Sequence, residues 1–191
     1  FPYTTLFRSQ EEEFEQAFQA LALEKQRQEE EFEHTFQALV LETLADPAPM
    51  EQKQLLRNLM RTHPAHARAL RMVQIIGESA RIALNSKKRE TAEARLALMN
   101  EQQQHLRYEC VLRPETRTAI EQFVEQTERQ FHTAFWINLA RSHLEKAVTL
   151  KTESARRRNQ EAARAALEEG LRDPLSDKAL LAAVAESIPS P

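Results

Sequence analysis

Residues 11–24, EEEFEQAFQALALE, and residues 29–42, EEEFEHTFQALVLE, are one motif written twice. Eleven of the fourteen positions are identical, and the differences are Gln16/His34, Ala17/Thr35 and Ala22/Val40. The offset of 18 residues is five turns at about 3.6 residues per turn, so equivalent residues fall on the same face of a helix. Phe14 thus aligns with Phe32, Phe18 with Phe36 and Leu21 with Leu39. Within each copy the apolar residues recur at i, i+4 and i+7, which is helical and not strand periodicity. A period of 18 suits a straight helix, whereas a strict heptad would impose a left-handed supercoil. No third copy follows, which separates this pattern from a repeat array.

Composition extends the helical reading to the whole chain of 191 residues. Two glycines stand where average usage would place about thirteen, so tight turns, hairpins and phosphate-cradling loops have little to form from. The expected fold class is all-α: an elongated antiparallel helical bundle, with coiled-coil-like hairpins and one very long helix. A single cysteine, Cys110, excludes an internal disulfide and fits a reducing compartment. No apolar run reaches the roughly 18–20 residues of a membrane span, and positions 1–9 lack the pattern of a secretory signal. The expected location is therefore cytoplasmic, with no membrane partner.

Phe1–Ser9, FPYTTLFRS, resembles in all nine residues a translation of a common short-read sequencing adapter. The resemblance implies that residues 1–9 are not native and stand outside the fold, like a tag. It also implies a metagenomic fragment whose reading frame continues upstream. Three substitutions within fourteen residues argue that the repeat beside it is not a copied sequencing read.

Prolines set the remaining boundaries, because Pro lacks a helical donor and clashes with the preceding turn. The acidic repeat helix is expected over 10–46, ended by Asp46-Pro47-Ala48-Pro49. A basic region, 47–113, should hold a short helix near 50–62, a second from His63-Pro64 to Asn85, and a third from Glu90 to Leu112. Arg113-Pro114-Glu115 opens a long helix over 114–170, with Pro at its first position and an acid just inside. Unbroken to Glu169 it would be about 84 Å long at ~1.5 Å per residue, so it either overhangs the bundle or breaks near 150–155, where no glycine or proline marks the place. Gly170 reads as its stop, with Asp173-Pro174 capping a short helix and tail over 171–191. Two heptad-spaced seams, Leu70-Val73-Gly77-Ala80-Leu84 and Ala92-Leu96-Met99-Gln103-Leu106-Cys110, should face each other across the short joint NSKKRE.

Charge separates along the same boundaries. Residues 10–46 carry eleven acids against two bases (−9), 47–113 six acids against twelve bases (+6), and 114–191 twelve acids against eleven bases (−1). An acidic helix beside a basic hairpin predicts docking, with apolar residues supplying most of the energy, since exposed pairs contribute only about 0–1 kcal/mol each.

Several constellations carry chemistry elsewhere and are weak here. Glu31 and His34 have the E-x-x-H spacing of di-iron bundles, but such sites need that motif on two helices, and the next pair, Glu128 and His132, is one residue too long. The first repeat has Gln16 in place of His34. Cys110 and His105 sit about 140° apart on a helix, too far to act as nucleophile and base, so Cys110 is expected in the packed seam. Arg156–Arg158 and Lys87–Arg89, with Arg61, His63, His66, Arg68 and Arg71, have the charge to meet phosphates, yet Tyr108 is the sole aromatic of the basic middle. Phe123, Phe131, Phe135 and Trp136 read as core. No catalytic, cofactor-binding or metal residues are expected. The expected function is a non-enzymatic protein–protein interaction or scaffolding module, with a protein partner or a second copy as ligand. The alternative is the accessory C-terminal region of a truncated nucleic-acid-processing enzyme, with nucleic acid as the less expected partner.

Overall fold

The computed structural model describes residues 3–46, 59, 61–86 and 88–188, with side chains from Phe14 onward. Among the described residues the chain is all-α, with six helices and no strand: α1 (Tyr3–Ala45), α2 (Pro64–Asn85), α3 (Arg89–Leu106), α4 (Pro114–Thr149), α5 (Glu153–Arg172) and α6 (Lys178–Glu186). The expected short helix at 50–62 lies outside the described residues, apart from Leu59, Arg61 and Thr62, which are helical. Pro64 and Pro114 open α2 and α4 at the expected positions, each supplying a preset φ where no intrahelical donor is needed.

The first helix runs back to Tyr3 instead of starting at Gln10. Nothing between Tyr3 and Glu11 breaks a helix, and propagation from an existing helix adds a hydrogen bond per residue without a new nucleus. At 43 residues α1 is about 64 Å long at ~1.5 Å per residue. It is the longest of the described helices, in place of the expected 114–170.

Two hydrophobic clusters hold the chain. The first gathers Phe36, Val40 and Leu44 of α1, Leu70, Val73 and Ile76 of α2, Leu96 and Met99 of α3, and Ile120 and Val124 of α4. The second gathers Ala140 of α4, Ala163 and Leu167 of α5, Leu181 of α6 and Ile188, with Trp136 against it. Helix α4 contributes to both.

Helices α2 and α3 pack along each other across a joint of three residues, which leaves antiparallel packing as the only arrangement. Leu70, Val73, Gly77 and Ala80 are buried from one seam, and Ala92, Leu96, Met99, Gln103 and Leu106 from the other. The seams end earlier than expected. Leu84 is 43% exposed at the joint, and Ala83 takes the buried position. Helix α3 stops at Leu106, where Tyr108 and Glu109 donate to His105 and Leu106 carbonyls in tighter turns. The register is lost before Cys110, which is exposed, and Leu112 fills the core instead.

The expected long helix over 114–170 is two helices. Leu150 and Thr152 are extended, and α5 turns back to pack along α4. Neither glycine nor proline makes this break. The Leu150 carbonyl accepts from Arg156 Nε at 2.8 Å and Thr149 Oγ1 donates to the Lys146 carbonyl at 2.9 Å, so local side chains satisfy the opened backbone. What drives the reversal is burial of the alanine-rich face of α5, Ala163, Ala166 and Leu167.

Gly170 is likewise not a stop, because α5 continues to Arg172. A Cβ there would meet Trp136 Cγ at 2.8 Å, Trp136 Cβ at 2.9 Å and Leu181 Cδ1 at 3.0 Å. Its missing side chain lets α4, α5 and α6 meet. The cap of α6 is Asp177, whose Oδ1 accepts from the Leu180 N–H at 3.1 Å, and not Asp173.

Candidate interaction surface

The two copies of the repeat lie on one helix in two environments. From Phe32 onward α1 is docked on α2 and the start of α4. Phe32 stacks on His63, with ring centroids 4.2 Å apart, and Phe36 meets His66 edge-on at 4.6 Å. Glu33 Oε1 lies 2.7 Å from His66 Nε2. Gln37 clasps the segment ahead of α4: its amide donates to the Val111 carbonyl at 2.8 Å and its oxygen accepts from the Arg113 N–H at 3.2 Å. Val40, Thr43 and Leu44 complete the buried stripe. The acidic helix therefore does dock on the basic region, but through rings, an amide clasp and one imidazole.

From Phe14 to Glu31 every side chain of α1 is exposed. Phe14 is 75% exposed, Phe18 66% and Leu21 71%, whereas their equivalents Phe32 and Leu39 are partly buried and Phe36 is 2% exposed. This half is sustained by neighbours along its own surface. Arg27 pairs with Glu24 at 2.9 Å and Lys25 with Glu29 at 3.8 Å, while Gln26 and Gln28 donate to Glu30 and Glu24. A helix with such pairs holds without a tertiary partner, but its apolar stripe stays in water. A cavity of about 430 Å³, lined by Gln26, Glu29, Phe32, Glu33, His63 and Arg113, marks where the free half meets the docked half.

The repeat's differences sort by environment. His34 and Thr35 are exposed in the docked copy, Thr35 Oγ1 donating to the Glu31 carbonyl of its own helix at 2.8 Å, so the counterparts Gln16 and Ala17 differ outside the docking face. All residues that make the docking contacts of 32–39 recur: Phe14, Glu15, Phe18, Gln19 and Leu21 match Phe32, Glu33, Phe36, Gln37 and Leu39. Val40 against Ala22 is the single buried difference inside the motif.

The other candidate residues are dispersed. His34 and Glu31 are exposed on α1, Glu128 accepts from the Asn100 amide, and His132 bonds elsewhere. Among the described residues no group of three or more His, Cys, Asp and Glu side chains converges. His105 is exposed beside Glu101, and Cys110 Sγ approaches only the Tyr108 carbonyl, at 4.0 Å. Arg68 pairs with Glu109 at 2.8 Å and Arg157 with Glu161 at 3.3 Å, while Arg89 lies 4.1 Å over the Phe135 ring. Phe123 and Phe131 pack on the first cluster and Trp136 on the second, so the aromatics are split between cores.

One polar junction escaped the sequence reading. Asp173 accepts from His132 Nδ1 at 2.9 Å, from Trp136 Nε1 at 3.0 Å and from the Leu175 N–H at 3.0 Å. Burial pushes its carboxyl upward, but the bonds from Trp136, Leu175 and His132, with the charge of the imidazole, outweigh burial and hold the pKa below its ordinary 3.8. Thr133 Oγ1 beside it accepts from the Asp177 N–H at 2.7 Å. The junction ties the ends of α5 and α6 to α4. Asp173-Pro174 was a visible turn signal; its partners 37 and 41 residues away were not.

Fold and surface together define an all-α chain that projects half of a long amphipathic helix. No protein-family model matches it, and no curated protein or solved structure matches it either. None of the described helices is long and apolar enough to cross a membrane.

Proposed function

We propose that the chain is a helical protein–protein interaction module, working by contact and not by catalysis, and that its working surface is the projecting half of α1. The observation that carries this reading is the exposed stripe Phe14, Phe18 and Leu21, three large apolar side chains each at least 66% exposed on one face of α1. Single exposed apolar residues are ordinary, but an aligned stripe rimmed by charges is the pattern of an amphipathic helix that enters a groove, read through i, i+4 and i+7 anchors. Burying two Phe and one Leu would contribute about 1.5–3 kcal/mol for each side chain before the costs of association. The first cluster, with the α2–α3 hairpin that contributes to it, serves as the scaffold that carries the helix.

A face-resolved photo-crosslink tests the proposal in cells producing the chain. A photoreactive phenylalanine analogue at position 14, 18 or 21 should give the same discrete adduct. At positions 16, 20 and 27, on the opposite face, it should give none. Equal labelling from both faces, or none from either, refutes the reading.

A further inference from the structure

Resting on that reading, we infer that the partner of the free repeat is a helical groove built like the one this chain's own second repeat occupies, carried by a different protein. The docked copy shows what such a face takes. Phe32 and Phe36 lie against two imidazoles and the aliphatic floor of α2, Glu33 reaches an imidazole, and Gln37 bonds one backbone carbonyl and one backbone N–H. Phe14, Phe18, Glu15 and Gln19 present the same groups in the same order, five turns earlier. The partner groove therefore offers an imidazole or other donor at the Glu15 position, an exposed backbone C=O and N–H pair at Gln19, and an aliphatic floor between them.

A second copy does not satisfy this surface. Each chain brings two repeats and, among the described residues, one such groove, so exchanging repeats between those grooves leaves one repeat per chain uncovered. Pairing two free halves with each other would set acidic helices side by side, since residues 11–31 hold eight glutamates against Lys25 and Arg27. The same charge asks for basic side chains on the partner, as Arg113 stands in the cavity lined by Glu29, Glu30 and Glu33 in this chain.

The flanks of the two copies say how the partner differs from the internal groove. Val40, Thr43 and Leu44 are buried in the docked copy, and Ala22, Lys25 and Gln26 stand at the equivalent positions. The partner carries a larger aliphatic side chain opposite Ala22 and a polar or acidic group where this chain buries Thr43 and Leu44. Those replacements also keep the free repeat from displacing the docked one.

The test uses this chain's own groove as the stand-in, with Cys110→Ser in every chain. One chain carries Gln19→Cys. The other carries Arg113→Cys, with Phe32→Ala and Phe36→Ala to empty its groove and Phe14→Ala and Phe18→Ala so that it cannot refill it. The expected result is a disulfide-linked heterodimer on mild oxidation, at least tenfold more abundant than with Glu24→Cys, about 140° round the helix from Gln19 and equivalent to the exposed Glu42. Equal yields, or no product, overturn the inference. Should the emptied chain lose its helical circular dichroism, a peptide of residues 10–28 with Gln19→Cys is offered to a chain carrying Arg113→Cys, Phe32→Ala and Gln37→Ala, which vacates the partly buried end of the groove and keeps Phe36 in the core. Cross-linking should then vanish when Phe14→Ala and Phe18→Ala are placed in the peptide, and product that survives both changes overturns the inference. Face-specific photo-crosslinks without disulfide product leave the contact reading standing and remove the groove chemistry. Sedimentation of the parent as a dimer that Phe18→Ala dissociates overturns the choice of a different protein.

Discussion

Phe18 and Phe36 make an internal control, because they are the same residue in the same local sequence on the same helix. Helix propensity changes equally in Phe18→Ala and Phe36→Ala, so any difference in stability reports tertiary burial alone. Phe36 is 2% exposed in the first cluster, and truncating a buried Phe to Ala costs about 3–5 kcal/mol. Phe18 is 66% exposed, and exposed substitutions of this kind fall within about 0.5 kcal/mol of zero. For a chain of this size each kcal/mol moves Tm by about 2–4 °C, so Phe36→Ala should lower it by about 6–20 °C and Phe18→Ala by no more than about 2 °C. Thermal melts followed by circular dichroism, with hydrogen exchange along α1, measure both. Equal losses from the two variants would show the first repeat to be docked. A silent Phe36→Ala would show the second to be free.

Gly170→Ala gains up to about 1 kcal/mol of helix propensity but forces a Cβ to within 2.8 Å of Trp136, whose Cβ and Cγ are fixed close to the backbone, so the melt should move down by about 1–3 kcal/mol net; a raised Tm refutes the close-packing argument. Leu96→Ala should destabilise by about 2–5 kcal/mol and Leu84→Ala, at the exposed joint, by about 0.5 kcal/mol or less, as read by denaturant midpoints. Asp173 has a folded pKa below its ordinary 3.8, so its contribution is present above that value and is lost as pH falls from there through the lowered folded pKa. Trp136 fluorescence against pH should show the junction loosening in that acid window, and Asp173→Asn should flatten the dependence; an unchanged acid limb in the variant removes the junction from the account. Gln37→Ala leaves the Val111 carbonyl and Arg113 N–H without their protein partner and should raise hydrogen exchange at Arg113 several-fold, with α5 unaffected.

Helices that begin at Pro64 and Pro114 were legible because proline acts locally, on its own φ and its own missing donor. The buried seam positions were legible for a similar reason, since heptad spacing places them together whatever lies beyond. The break at Leu150–Thr152 was legible only as one of two alternatives, from the excessive length of an unbroken helix. It contains no glycine or proline, and only the packing of Ala163, Ala166 and Gly170 against Trp136 and Ala140 makes two helices better than one. The repeat itself was plain in the sequence, yet which copy docks was hidden, because the motif presents the same face twice. The decision lies just past its end, where Thr43 and Leu44 continue the buried stripe and Lys25 and Gln26 interrupt it. His63 and His66 looked like surface charge, and their stacking on Phe32 and Phe36 depends on a crossing that no local spacing encodes.

The clasp between Gln37 and Val111 spans 74 residues, and this separation has a consequence for biosynthesis. At roughly 5–20 residues per second, several seconds of translation separate the emergence of α1 from that of the segment that grips it. Until α2 follows with His63 and His66, both repeats are bare, with four phenylalanines in water. Glutamates spaced through both copies give the nascent helix the like charge that discourages association with neighbouring chains. The α4–α5–α6 unit, whose contacts are closer in sequence, closes quickly once made, because short loops cost less to form. Helix α1 therefore leaves the ribosome before the groove and the clasp that hold it, so a partner of the kind proposed would meet both repeats before the internal groove has claimed one.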